Sequence, residues 1–104
     1  DRLALADPRI ADRYDFLYAG FDLFRFPENV RLLSFDARRF VERIVRLARR
    51  RGVDGIVSPQ EQMGVSIAAA ATARLGLPGP DPRGVLVAQH KLYAREAIAR
   101  ARPE

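Results

Sequence analysis

The sequence predicts an α/β fold, a three-layer parallel sheet with helices at its C-terminal end. Three observations carry that expectation. The apolar run Gly55-Ile56-Val57 leads straight into a helix start at Ser58-Pro59, as a buried parallel strand feeding a crossover helix does. Two β-prone stretches precede it, Tyr-Asp-Phe-Leu-Tyr at 14–18 and the run from Val30 to Phe35. Helical patterns over 36–52 and 59–75 alternate with these stretches, so the chain repeats strand, helix, strand, helix.

Residues 1–13, with Leu3, Leu5 and Ile10 around Asp7-Pro8, read either as a short helix or as an irregular lead-in. From Phe21 to Asn29 there are three phenylalanines and a proline without a clear period. We read an ordered loop whose rings pack back onto the sheet, with a binding role for the rings as the alternative. Asp36 is a good N-cap. Phe40, Ile44, Leu47 and Ala48 then recur at helical spacing, Val41 and Val45 widen the stripe, and Gly52 closes the helix.

The next helix has a capping-box start: Ser58 as N-cap, Pro59 at the first helical position and Glu61 three residues after the serine. Met63, Val65, Ile67 and the alanines 68–71 leave it little polar face, so it should be largely covered. Gly76, followed by Leu77-Pro78, ends it, and residues 77–79 could add a very short strand. Asp81-Pro82 opens a further helical stretch, split near Gln89-His90, that carries Lys91, the one lysine of the chain.

A chain of 104 residues is one domain with a modest core. Within it, 1–80 reads as the α/β domain and 81–104 as linker helices. There is no cysteine and a single histidine without HxH or HExxH spacing, so disulfides, thiolate-bound metals and a zinc site are not expected. The apolar runs fall far short of the roughly 20 residues that cross a bilayer, and no signal peptide is visible, so no membrane is expected and a cytoplasmic location is. The first residue is not methionine, which leaves a removed N-terminus open.

Eighteen basic residues against 13 acidic ones give a net charge of +5, and Arg38, Arg39, Arg43, Arg46, Arg49, Arg50 and Arg51 fall in one helix, away from its apolar stripe. No aromatic platform is interleaved with them and no helix-turn-helix, zinc-finger or RNP pattern is present. A solvated face is the reading preferred to a phosphate-binding surface, and no nucleic-acid partner is expected.

In parallel sheets ligands bind beyond the carboxyl ends of the strands. That position here is Ser58, Gln60, Glu61 and Gln62, polar side chains at a helix start whose free N–H groups favour anions. Ser58 and Glu61 may be read simply as caps, which leaves ligand contact to Gln60 and Gln62 open.

The ordered set Ile56-Val57, Glu61, the alanine-rich helix to Leu75, Gly76-Leu77-Pro78-Gly79, the segment Pro82 to Gln89 and the pair His90-Lys91 resembles the N-terminal region of ATP-grasp ligases over roughly residues 36–102. The resemblance implies a pre-ATP-grasp, Rossmann-like domain of a carboxylate–amine (or thiol) ligase, which uses MgATP to form an acyl phosphate that a nucleophile then displaces. By position, Lys91 would approach ATP phosphate oxygens, and Ser58, Gln60, Glu61 and Gln62 would lie on the side of a small carboxylate substrate. His90 departs from the commoner Asp and reads as structural. The family's phosphate loop, adenine pocket and Mg²⁺ ligands lie in later domains, so ATP and Mg²⁺ are expected for the full-length enzyme and neither for this chain alone. No catalytic residue and no metal ligand is assigned here. The implied partners are the missing ATP-grasp domains, in cis or in trans, with a homodimer left open. The alternative is a non-catalytic α/β domain that binds a partner through its alanine-rich helix. An all-helical bundle in place of a parallel sheet would overturn the resemblance.

Overall fold

The computed structural model describes residues 7–21, 25–60 and 62–102. Among them the regular elements are all helices, with no strand and no sheet. The expected three-layer parallel α/β sheet is therefore overturned. Two compact units are formed, Asp1–Phe35 and Asp36–Glu104.

In the first unit a four-residue helix, α1 (Pro8–Ala11), starts from Asp7, whose carboxylate accepts the Arg9 N–H at 2.9 Å and pairs with the Arg9 guanidinium at 2.7 Å. The expected strand at 14–18 is irregular, with Tyr14 and Phe16 rings 6.1 Å apart. The expected strand from Val30 lies instead in a 3₁₀ helix, Glu28–Ser34. The reason is local. Pro27 is followed by residues whose N–H groups find carbonyls within the same segment, Asn29 on Arg25 at 2.9 Å and Val30 on Pro27 at 3.2 Å. A strand needs a distant partner, whereas this turn needs none. The aromatic loop does not pack on a sheet either: Phe21 meets Phe35 edge-on at 5.9 Å, and Phe26 is 77% exposed.

Asp7 also gives a pH prediction. The Arg9 guanidinium, with help from the Arg9 N–H, holds its carboxyl below the ordinary carboxylate value. A depressed pKa means the ion pair favours this turn at neutral pH and is lost as pH falls through the lowered value. Arg9→Ala should return the Asp7 titration, followed by the carboxyl carbon shift, to the ordinary range; an unchanged midpoint would exclude the pair.

The second unit is built from α2 (Ala37–Arg51), α3 (Met63–Leu75), α4 (Pro82–Gln89) and α5 (Lys91–Ala101), each packed on the next. Asp36 caps α2 by accepting the Arg39 N–H at 3.1 Å. Gly52 ends it at φ 63°, where only glycine is unstrained, and the Val53 N–H returns to the Ala48 carbonyl at 3.0 Å. Val45 and Ala48 are the buried residues of α2, and Ile67, Ala69, Ala71 and Thr72 those of α3. Ala69 and Ala71 are fully covered. With side chains this small, the helix backbone can come close to its neighbours.

The turn after α3 has a specific anatomy. Gly76 is left-handed at φ 67°, its N–H bonds Ala73 and the Leu77 N–H bonds Thr72, the Schellman pattern. Residues 77–79 form no strand. Gly79 lies against the buried Thr72: an added Cβ would collide with Thr72 Oγ1 and sit 3.0 Å from its Cβ. Thr72 cannot give way easily, because its hydroxyl donates to the Ala68 and Ala69 carbonyls at 3.0 Å. Gly79→Ala should therefore cost about 1–3 kcal/mol in denaturant unfolding. Gly55→Ala, with nothing within 4 Å of the new methyl, should cost nothing measurable. Equal effects at the two glycines would exclude the contact.

The expected strand at 54–57 is extended but unpaired, and among the described residues its backbone makes no hydrogen bond. A strand buried on both faces depends on neighbours for every N–H and C=O. None is present here, and Val57 is 77% exposed.

Candidate functional site

The polar turn between the extended segment and α3 is held by its own side chains. Ser58 Oγ accepts the Gln60 N–H at 3.2 Å, which closes a short serine turn. The Gln60 side chain then reaches forward, and its Oε1 accepts the Gly64 N–H at 2.8 Å. Gly64 makes this possible. A Cβ there would collide with Ser58 Oγ and stand 2.8 Å from both Gln60 Cβ and Oε1.

Two expectations change as a result. The helix begins at Met63, not at Pro59, and its first turn is capped by the Gln60 carboxamide, not by Ser58. The serine hydroxyl is committed to the turn, so a capping box built on it does not form. Glu61 lies outside the described residues. The N–H groups at the start of α3 are also not free for an anion. Gly64 is taken by Gln60 Oε1, Val65 by the Gln60 carbonyl at 3.1 Å and Ser66 by the Gln62 carbonyl at 3.3 Å. What remains available is the Gln60 Nε2 and the exposed Gln62 carboxamide, both neutral donors, which suit a carboxylate oxygen.

Lys91 is the first residue of α5 and is exposed. Among the described residues its ammonium enters no ion pair. His90 is extended at the hinge between α4 and α5, and its ring stacks on Tyr93 at 4.3 Å. The two helices split there as expected, and Asp81 caps α4 through the Arg83 and Gly84 N–H groups.

Sequence reasoning missed two residues that join these parts. Gln89, at the end of α4, donates from Nε2 to the Gln62 carbonyl at 2.7 Å. Its Oε1 accepts the Ser66 hydroxyl at 3.1 Å. Ser66 is the lone hydroxyl in the apolar first half of α3, one turn beyond Gln62, which is the signal that could have drawn attention to it. The clasp spans 27 and 23 residues and brings the segment before Lys91 onto the polar turn.

The arginine face of α2 is exposed. Arg38 pairs with Glu42 and Arg39 with Asp36, both at 3.5 Å, and Arg43 lies 5.5 Å over the Phe40 ring. Two shallow depressions lie in this unit, one lined by Arg43, Arg46, Arg49 and Arg50, the other by residues such as Val87, Tyr93 and Glu96. Neither includes Ser58, Gln60, Gln62 or Lys91. Among the described residues no three His, Cys, Asp or Glu converge, so no Mg²⁺ ligand set is assigned from them, and no helix is long and apolar enough to cross a membrane. No family model, no curated protein and no solved structure matches the chain.

Proposed function

We propose that the chain is the substrate-side portion of an ATP-dependent carboxylate–amine (or thiol) ligase of the ATP-grasp kind, working in the cytoplasm through an acyl phosphate. In this reading it is not competent alone. The nucleotide and Mg²⁺ are held by ATP-grasp domains supplied in cis or in trans, and no step runs through the metal here because no ligand set for it is assigned from these residues. The observation that carries the reading is the clasp: two motif pieces far apart in sequence, Ser58–Gln62 and His90-Lys91, are drawn together through Gln89. Lys91 offers an exposed ammonium, a compact cation suited to phosphate oxygens. Gln60 Nε2 and Gln62 offer donors to a small carboxylate. The all-helical fold removes the parallel sheet that the resemblance implied, so the reading has no support from the fold and rests on the residues joined by the clasp.

Isothermal titration with MgATP tests it. The chain alone should show no sub-micromolar binding, and such binding would overturn the proposal that nucleotide affinity resides in other domains.

A second reading is a non-catalytic interaction domain. Leu86, Leu92 and Ile98 on α4 and α5 are 57–64% exposed, and the 54–57 backbone is unpaired, features suited to a protein partner. An ATP-grasp domain or a second copy of the chain would cover the same surface. Nucleic acid is not a partner in either reading. Affinity for it that fell steeply with salt would contradict this, because phosphate contacts release counterions.

A further inference from the structure

We propose that Gln89 is a positioning residue, whose carboxamide fixes the α4–α5 hinge to the amino end of α3 and thereby holds Lys91 in place. Both functional groups of the amide are used in complementary sense. The nitrogen donates to the Gln62 carbonyl at 2.7 Å, and the oxygen accepts from the Ser66 hydroxyl at 3.1 Å. A glutamate lacks the donor, and an alanine lacks both.

The clasp acts beside the break between α4 and α5, which pack on each other and are joined by the His90 N–H donating to the Val87 carbonyl at 3.2 Å. His90 is extended, with φ −96° and ψ 110°, and receives no side-chain cap for α5. It breaks what would otherwise be one continuous helix, so the direction of α5 depends on what anchors the last residue of α4. Lys91 stands two residues beyond the anchor. On the α3 side the same amide meets the Gln62 carbonyl, next to the turn that Ser58 and Gln60 build around Gly64. A ligand bridging the turn and Lys91 therefore meets two parts already tied together, and less conformational entropy is lost when it binds.

The positioning of Lys91 toward a nucleotide rests on the ligase reading, whereas the clasp does not. The full chain tests both, alone for the clasp and assembled for Lys91, its only lysine. The first measurement is amide hydrogen exchange in the wild type and in Gln89→Ala. Loss of the hydrogen bonds to Gln62 and Ser66, one of them short, should speed exchange at Gly64–Ser66 and at the first amides of α5 together, by about tenfold. Ser66→Ala, which removes one arm, should give a smaller change at the same amides. The second measurement is the acylation rate of Lys91, read by mass in the peptide that carries it, with and without millimolar ATP in the chain assembled with its ATP-handling domains. Wild-type Lys91 should be protected, and Gln89→Ala should need about ten times more ATP for the same protection.

Unchanged exchange at α5 in Gln89→Ala overturns the clasp. Faster exchange with protection by ATP undiminished overturns the positioning of Lys91. Absence of protection in the wild type overturns the nucleotide reading of Lys91, while the exchange data still decide the clasp.

Discussion

Val45→Asp should abolish cooperative unfolding of the Asp36–Glu104 unit. Val45 is 1% exposed and belongs to the small set of residues buried where α2 packs on α3. A carboxylate at that point would be desolvated, and among the described buried side chains only Thr72 is polar, with its hydroxyl already committed to Ala68 and Ala69. An uncompensated buried charge costs several kcal/mol, a large share of the roughly 5–15 kcal/mol that holds a domain together. Nor would α2 persist alone, since isolated helices of about 12–15 residues are marginal in water. Val45→Ala, which removes only methyl groups, should lower stability by about 1–3 kcal/mol and keep the transition cooperative. Arg46→Asp, one residue along on the exposed face, should change stability by less than about 1 kcal/mol. Circular dichroism during thermal unfolding checks all three, and a wild-type-like transition for Val45→Asp would show that the α2–α3 contact is not the core.

Under the proposed ligase reading, Lys91→Ala in the chain assembled with ATP-handling domains should lower kcat/KM by about 10²–10³-fold. That is the usual loss when a group aimed at developing negative charge is removed. The basis is the exposed ammonium at the start of α5, which enters no ion pair among the described residues, and its tether through Gln89. Arginine should not restore the rate fully, because a planar guanidinium cannot occupy the place of a compact ammonium. Phosphate release measured at saturating carboxylate separates the effects: a loss in kcat places Lys91 at the reacting phosphate, and a loss confined to the KM for ATP places it in binding alone. No effect on either would remove Lys91 from the site.

These expectations differ in how far the sequence anticipated them. Helix boundaries marked by short-range chemistry were legible. Asp36 and Asp81 cap helices by bonding N–H groups two or three residues away, and Gly52 and Gly76 end helices because only glycine takes their left-handed conformation without strain. The break at His90 was visible for the same reason. For the candidate site, the sequence pointed to Lys91 and the polar turn as candidates, but not to the bonding that shapes the turn. Ser58-Pro59 carries a good helix-start signal, yet Gln60 captures the Gly64 N–H and displaces the start to Met63.

By itself, then, the sequence determined the helices over 36–52, to Gly76 and from Pro82 with their ends, since those caps close within a turn or two of chain, but it missed the 3₁₀ helix Glu28–Ser34. The structure decided that the β-prone stretches at 14–18 and 54–57 form no sheet, while the one from Val30 closes locally into a 3₁₀ helix. Strand pairing is a non-local contact, and apolar, β-branched residues state a preference for it without supplying the partner. Tertiary packing likewise decided that Gly79 must lack a side chain, because Thr72 occupies the space, and that Gln89 reaches back 27 residues to the Gln62 carbonyl.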